Sequence, residues 1–271
     1  MANKMCFHLM CSKLYIYNHL SEIIVIFLTF QNKILKRILR TKSLNIIFEN
    51  LKIHKFLKKQ LIITKDGSHS LFVPGLNETY HSKHGAITEA MHVFIRNGLH
   101  FNPKQNLNIL EIGFGTGLNT LLTLENLQNK KVHYTTLEPF PIAEEIYNKL
   151  NFHTFTKSDE EFFLNLHNCE WEREIKLSTN FTFFKTNNKL QNFNGGKFDI
   201  IYFDAFAPEK QAEMWTKTVF EKMYCLLNEN GFLVTYCAKG VVKRTLKSVG
   251  LEVETLEGPP GKREMIRANK K

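Results

Sequence analysis

The sequence predicts an α/β fold built on a doubly wound, mostly parallel sheet whose last strand is antiparallel. Three observations predict it. Strand-like and helix-periodic runs alternate from residue 61 onward, the pattern of a parallel sheet covered on both faces. A Gly-rich turn follows the first long apolar run at 107–112 and opens a helical stretch. The last two strand runs are separated only by the segment around GPPG at 258–261, so they pair antiparallel. With 271 residues, 43% hydrophobic and 23% charged, the chain is not disordered, collagenous or a multi-span membrane protein.

The elements follow in order. Residues 61–64 and 71–73 read as a hairpin around the turn at Asp66 and Gly67. Residues 85–97 carry Ile87, Met91, Val93, Phe94 and Ile95 at helical spacing, with Gly98 as the expected stop. Strand 107–112 leads to helix 118–127, and strand 132–137 to helix 142–150. After a mixed stretch come strands 181–184 and 198–203, an amphipathic helix over 214–227 and a strand over 231–236. Helix 241–249 and strands 251–255 and 264–267 complete the order.

The formal charge of +10 is unevenly placed. Residues 1–60 hold 11 Lys and Arg against 2 Asp and Glu, and residues 61–271 hold 25 against 24. The apolar run 23–30 is far shorter than the roughly 20 residues a membrane span needs, so stable membrane insertion is not expected. Residues 33–59 are basic and partly amphipathic, with Ile34, Leu35, Ile38 and Leu39 at helical spacing. Three readings stand for residues 1–60: a membrane-surface helix, an arm on RNA phosphates, or an extension outside the domain. On the last, a chain beginning near Lys59 folds and keeps activity, and 61–271 is the working domain. None of the five cysteines forms CxxC or stands in a metal-ligand spacing, which fits free thiols in a reducing compartment and no metal site.

Glu111, Gly113, Gly115 and Gly117 form E-x-G-x-G-x-G between a strand and a helix. Leu118 and Thr120 break the register of a dinucleotide fingerprint, and Leu118 and Asn119 stand where a Walker loop needs Lys and Ser/Thr. A second acid, Glu138, ends the next strand, where an acid holds ribose hydroxyls in doubly wound nucleotide folds. Glu111 suits a ligand with positive groups better than a pyrophosphate, and S-adenosylmethionine carries an ammonium and a sulfonium. A Gly-rich turn flanked by two surface acids is the competing reading.

Strand 198–203 delivers Asp204, Phe206 and Pro208 to the carboxyl edge of the sheet, where open α/β sheets bind ligands. An acid, an aromatic and a proline in this order resemble the loop of amino-group methyltransferases, in which an acceptor orients an amine and the aromatic stacks on its carrier base. A carboxylate there orients the amine or takes its proton. Otherwise Asp204 caps the next helix.

Residues about 61–268 resemble the methyltransferase module of the MnmC family, also found alone as MnmD. The matching stretches are DGSHS at 66–70, YHS at 80–82 with Gly85 and Glu89, 111–119, and EPFP at 138–141. They continue with 198–208, Met214 and Trp215, 235–244 and 258–265. The resemblance implies a class I methyltransferase using S-adenosylmethionine on the exocyclic amine of 5-aminomethyl-(2-thio)uridine at the tRNA wobble position. It implies Gly113, Gly115, Gly117 and Glu138, with Glu111 and Asn119 in the same stretch, as cofactor positions, and Asp204 with Phe206 and Pro208 as the catalytic loop. Where many such enzymes place an acid beside the adenine, this chain has Thr186 and Asn187, so the Asn187 amide or backbone is expected to serve. Two-domain members add a flavin oxidase; this chain ends at Lys271, so no flavin is expected and other enzymes must supply the aminomethyl group.

A tRNA partner fits the 9 Lys and Arg from residue 239 onward, against 4 Glu; Lys239, Lys243, Arg244, Lys262 and Arg263 are the candidate phosphate ligands, and a solvated face is the plain alternative. A flipped-out anticodon base has Phe206 to stack on. His69, His81, His84 and His92 lack metal spacing and read as substrate-side or structural, and Trp215 as helix core. The expected compartment is cytoplasmic. An aminopropyltransferase of the same fold would want a more acidic cleft, and a non-catalytic RNA- or membrane-binding module leaves Glu111, Glu138 and Asp204 without a reason to occur together.

Overall fold

The structure, a computed structural model, describes residues 59–271; the expectations for 1–58 lie outside the described residues. The first strands, β1 (Gln60–Ile63), β2 (His69–Val73) and β3 (Glu78–Thr79), form a small antiparallel sheet. Asp66 fixes the β1–β2 turn. Its Oδ1 accepts from Thr64 Oγ1 at 2.7 Å and Ser68 N–H at 3.1 Å, while Oδ2 accepts from Thr88 N–H at 2.9 Å. The last bond caps helix α1 (Ala86–Ala90) from a distance, satisfying an N-terminal amide that has no partner within the helix.

Helix α1 continues without a break as a π-helical stretch over Met91–Leu99. The stretch ends at Leu99, one residue past the expected stop at Gly98. Glycine stands there because the Tyr202 ring lies 3.0 Å from where a Cβ would sit.

The main sheet follows with β4 (Asn106–Ile112), α2 (Leu118–Glu125), β5 (Lys131–Leu137) and the short α3 (Glu144–Tyr147). Helix α3 is shorter than the periodicity predicts, because Lys149 and Leu150 turn back in i→i+3 bonds to Ile146 and Tyr147. Helix α4 (Glu160–Asn168) and strand β6 (Glu174–Ser178) occupy the mixed stretch. Asp159 caps α4 by accepting Phe162 N–H at 2.8 Å. Then come β7 (Phe181–Thr186), β8 (Phe198–Phe203), α5 (Lys217–Leu226), β9 (Leu227–Thr235), α6 (Gly240–Ser248), β10 (Glu252–Glu257) and β11 (Glu264–Asn269).

The eight strands lie in the order β10-β11-β9-β8-β4-β5-β7-β6. Strands β9, β8, β4, β5 and β7 are mutually parallel, and β11 runs antiparallel between β9 and β10, as the short 258–261 connection requires. The edge strand β6 is also antiparallel. All six residues of β8 are buried, the pattern of a strand covered on both sides. Its Ile200 and Tyr202 join the core under α1 and α2, and its Ile201 and Phe203 the core under α5 and α6. Asp199 locks the amino edge of the sheet, accepting from Lys104 Nζ at 2.7 Å, Asn108 N–H at 2.9 Å and Asn228 Nδ2 at 3.0 Å. Chain order reverses between β4 and β8, which opens a crevice at their carboxyl ends.

Candidate active site

That crevice is a cavity of about 880 Å³, walled by the β4–α2 loop, the ends of β5 and β8, the first small sheet and the β10–β11 loop. Gly113, Gly115 and Gly117 all have positive φ. At Gly117, the first residue before α2, a Cβ would also meet His167 Nε2 at 3.0 Å. Gly115 donates its N–H to Glu138 Oε2 at 2.8 Å, and Phe140 donates to Glu138 Oε1 at 2.8 Å. Both carboxylate oxygens are thus aimed by backbone from two loops, each with a lone pair remaining for a hydroxyl. Burial raises the Glu138 pKa against the pull of those two amides.

Asp204 follows directly on β8 and faces the cavity. Its Oδ2 accepts from Asn119 Nδ2, on α2, at 2.9 Å. Burial first, and then the nearby Glu89 charge, push its carboxyl up to about 7, while the Asn119 bond and Lys262 pull the other way. The loop after it is braced from both sides. The Tyr236 hydroxyl donates to Ala205 O at 2.9 Å, and the Trp215 indole N–H donates to Phe206 O at 2.7 Å. Phe206 meets Tyr80 edge to face at 5.1 Å, so two rings border the cavity beside the Asp204 loop. Pro208 does not line the cavity; the turn it belongs to is closed by Lys210 N–H on Ala207 O at 2.7 Å.

Two expected cofactor residues stand elsewhere. Glu111 is fully buried beneath the glycine loop, where its Oε2 accepts from Thr120 Oγ1 at 3.2 Å. Burial raises its pKa to about 8, its bonded partner Thr120 stands on α2, and it does not line the cavity. Asn187 is exposed and its N–H donates to Glu172 Oε1 at 3.2 Å. The wall at that end is formed by Lys189, Leu190, Gln191 and Asn192, beyond the end of β7. Gly113, Gly115, Asn119, Glu138, Asp204 and Phe206 do share the cavity; Gly117 lies behind it.

Tyr80, His81, Glu89 and Tyr236, from the matching stretches but without an assigned role, line the cavity, as do Leu190 and Gln191, which belong to no motif. His81 is buried, with Nδ1 3.1 Å from Ser70 Oγ and Nε2 3.3 Å from Thr116 Oγ1, and burial lowers its pKa to about 4. It ties the small sheet to the glycine loop as a neutral ring. His69 and His92 bond instead to the Lys149 and Glu257 carbonyls, and no metal-holding group occurs among the described residues. Trp215 is a core residue, as its spacing suggests, and also a brace.

The basic candidates divide. Lys262 lies within the cavity, paired with Glu89, and Lys239 lies at its rim, paired with Glu209. Lys243 pairs with Glu264 at 2.7 Å. Arg244 and Arg263 are exposed. No helix among the described residues is long and apolar enough to cross a membrane.

Comparison with known proteins meets this geometry. Residues 144–271 match a family described as S-adenosyl-L-methionine-dependent methyltransferase. The chain is 29% identical over 226 residues to the tRNA 5-methylaminomethyl-2-thiouridine biosynthesis bifunctional protein MnmC of Burkholderia thailandensis, covering 76% of this chain and 34% of that protein. It is 30% identical over 226 residues to the MnmC of Cupriavidus metallidurans, covering 76% and 33%. The chain thus spans about a third of the length of these curated relatives. The crystal structure of MNMC2 from Aquifex aeolicus superposes with a TM-score of 0.63 at 22% identity, covering 94% of this chain and 83% of that one, which shows a shared fold. Residues 144–271 thus match S-adenosyl-L-methionine-dependent methyltransferases, and the chain has the class I methyltransferase fold and is similar in sequence to part of the MnmC proteins.

Proposed function

We propose that the chain methylates the exocyclic amine of 5-aminomethyl-(2-thio)uridine at the tRNA wobble position, giving the 5-methylaminomethyl product. One observation carries this reading: a half-buried carboxylate, two aromatic rings and a glycine cradle with a ribose-type acid meet in one cavity. The relatives' role in making 5-methylaminomethyl-2-thiouridine agrees with it. Bound S-adenosylmethionine supplies an electrophilic methyl group. Its ribose fits the two oxygens of Glu138, its backbone-contacting part the positive-φ loop at Gly113 and Gly115, and its base the wall at Leu190 and Gln191. Glu111 and Asn187 are not contacts in this assignment.

The chain's own work is on the acceptor. Phe206 and Tyr80 border the uracil ring, and Asp204 receives the amine. An alkylamine is protonated in water near neutral pH, with a pKa of about 10. Asp204, poised near 7, holds the cation and takes its proton, leaving the nitrogen lone pair free for attack. Arg244 and Arg263, both exposed, remain to meet tRNA phosphates. The aminomethyl group has to come from reactions upstream, and a tRNA substrate implies a cytoplasmic enzyme.

Transfer of labelled methyl to tRNA bearing 5-aminomethyluridine tests the proposal. Asp204→Asn is expected to lose about 10²–10⁴-fold in turnover while retaining cofactor affinity. Transfer to a free polyamine and none to tRNA would replace this reading with the small-molecule one.

A further inference from the structure

The acceptor side of the cavity holds a second carboxylate outside the Asp204 loop. Glu89, on α1, has a side chain only 10% exposed. Its Oε2 accepts Ser82 N–H at 2.7 Å, and its Oε1 takes the ammonium of Lys262. Lys262 comes from the β10–β11 loop, 173 residues away in sequence, and its Nζ lies 4.6 Å from the centre of the Tyr236 ring. Tyr236 in turn bonds the carbonyl of Ala205, next to Asp204. All of these side chains line the one cavity. A covered ion pair gives little net stability, because desolvation offsets its attraction, and apolar residues would fasten the loop as well. Its charge therefore calls for a use.

We infer that Glu89 and Lys262 are positioning residues of the acceptor pocket, whose pair sets the charge that surrounds the amine beside Asp204 and favours a cationic amine over an acceptor extended by a carboxylate. The inference deepens the proposed function and rests on it for the chemistry of the acceptor.

The groups around Asp204 in the pocket are Glu89 from α1, Lys262 from the β10–β11 loop, Tyr236 after β9 and Asn119 from α2, and the buried Glu111 of β4 acts on it from outside the cavity. Glu89, a like charge, makes the Asp204 proton harder to remove, and Lys262 tempers that effect. With both acids ionised, the trio carries one net negative charge. An ammonium entering it neutralises the pocket, whereas a carboxylate meets repulsion. One proton then passes from the ammonium nitrogen to an Asp204 oxygen. The amine becomes neutral, Asp204 becomes the neutral acid, and solvent takes that proton after product leaves.

The test uses the full chain labelled with ¹³C at the Asp carboxyl, with the Asp204 signal identified by its absence in Asp204→Asn. Glu89→Gln keeps an oxygen for Ser82 N–H and removes the charge, so the Asp204 midpoint should fall by about one pH unit. Lys262→Met leaves Glu89 unneutralised, so the midpoint should rise by a similar amount. The acidic limb of kcat/KM on aminomethyl-bearing tRNA should move the same way in each variant. Glu89→Gln should also narrow the preference for that tRNA over one whose aminomethyl nitrogen carries an added carboxylate by about tenfold. A fastening role alone lowers thermal stability in both variants and leaves the midpoint in place. Midpoints that stay put or move together overturn the inference, even if tRNA is methylated. Opposed shifts without methylation by the wild type support the coupling and overturn the amine acceptor.

Discussion

Glu138→Gln isolates the contribution of charge at the ribose-type acid with little change of shape. In the native protein each carboxylate oxygen accepts one backbone N–H, from Gly115 and Phe140, both at 2.8 Å. The amide offers one oxygen only, so one N–H faces an NH₂ group in the free and the bound protein alike. That loss falls on the loops and appears as lower stability. Binding loses something different. If each oxygen also takes a ribose hydroxyl, one of those bonds disappears and the other changes from a charged to a neutral acceptor. Charged hydrogen bonds contribute about 1.5–3 kcal/mol and neutral ones about 0.5–1.5 kcal/mol, so the expected cost is about 2.5–4.5 kcal/mol. That is roughly 70- to 2000-fold in Kd for S-adenosylhomocysteine, measured by isothermal titration calorimetry, with circular dichroism confirming the fold. A Kd within about threefold of wild type, in a folded variant, would refute the placement of ribose on Glu138.

Three further outcomes are expected. Asp66→Ala removes an acceptor shared by the β1–β2 turn and the start of α1, and should cost about 1–2 kcal/mol after allowance for its partial exposure. Burial alone would raise the Asp66 pKa, but hydrogen bonds from Ser68, Thr88 and Thr64 hold it at about 2, below its ordinary 3.8. Its stabilisation is therefore complete above 3.8 and lost as pH falls through about 2, so urea midpoints of wild type and variant should converge only in strong acid. Gly98→Ala brings a methyl to within 3.0 Å of the buried Tyr202 ring, which Phe94 and Tyr134 hem in. The clash should outweigh the roughly 1 kcal/mol gain in helix propensity, giving net destabilisation in urea denaturation; a stabilised variant would show that the ring yields. Arg244→Ala with Arg263→Ala should weaken tRNA binding and reduce the slope of log K against log salt by about 2. An unchanged slope would place the tRNA surface elsewhere.

The main sheet was legible because its strands are buried on both faces and therefore written as continuous apolar runs, as in 198–203. Helix α4 and strand β6 were not, since both lie in a polar stretch and β6 is a half-exposed edge strand. Gly98 marked the end of the first helical stretch to within a residue, but its packing against the Tyr202 ring could not be read from a one-dimensional pattern. The site divided along the same line. Gly115, Glu138, Asp204 and Phe206 sit at strand ends and turns, where sequence position alone fixes which edge they reach. Glu111 adjoins that loop in sequence, yet the pleat turns its side chain under the loop and away from the ligand side.

By itself, then, the sequence determined the layered sheet, the antiparallel last strand, the glycine cradle and the acid at the end of β8, because each follows from local periodicity and chain direction. Only the tertiary structure decided which charges are available for binding. Lys262 reads as one of a basic run, and folding turns it inward onto Glu89, while Arg244 and Arg263 stay in solvent. Ion pairing spans any separation in sequence, and the net charge of a segment does not reveal which of its cations are already paired.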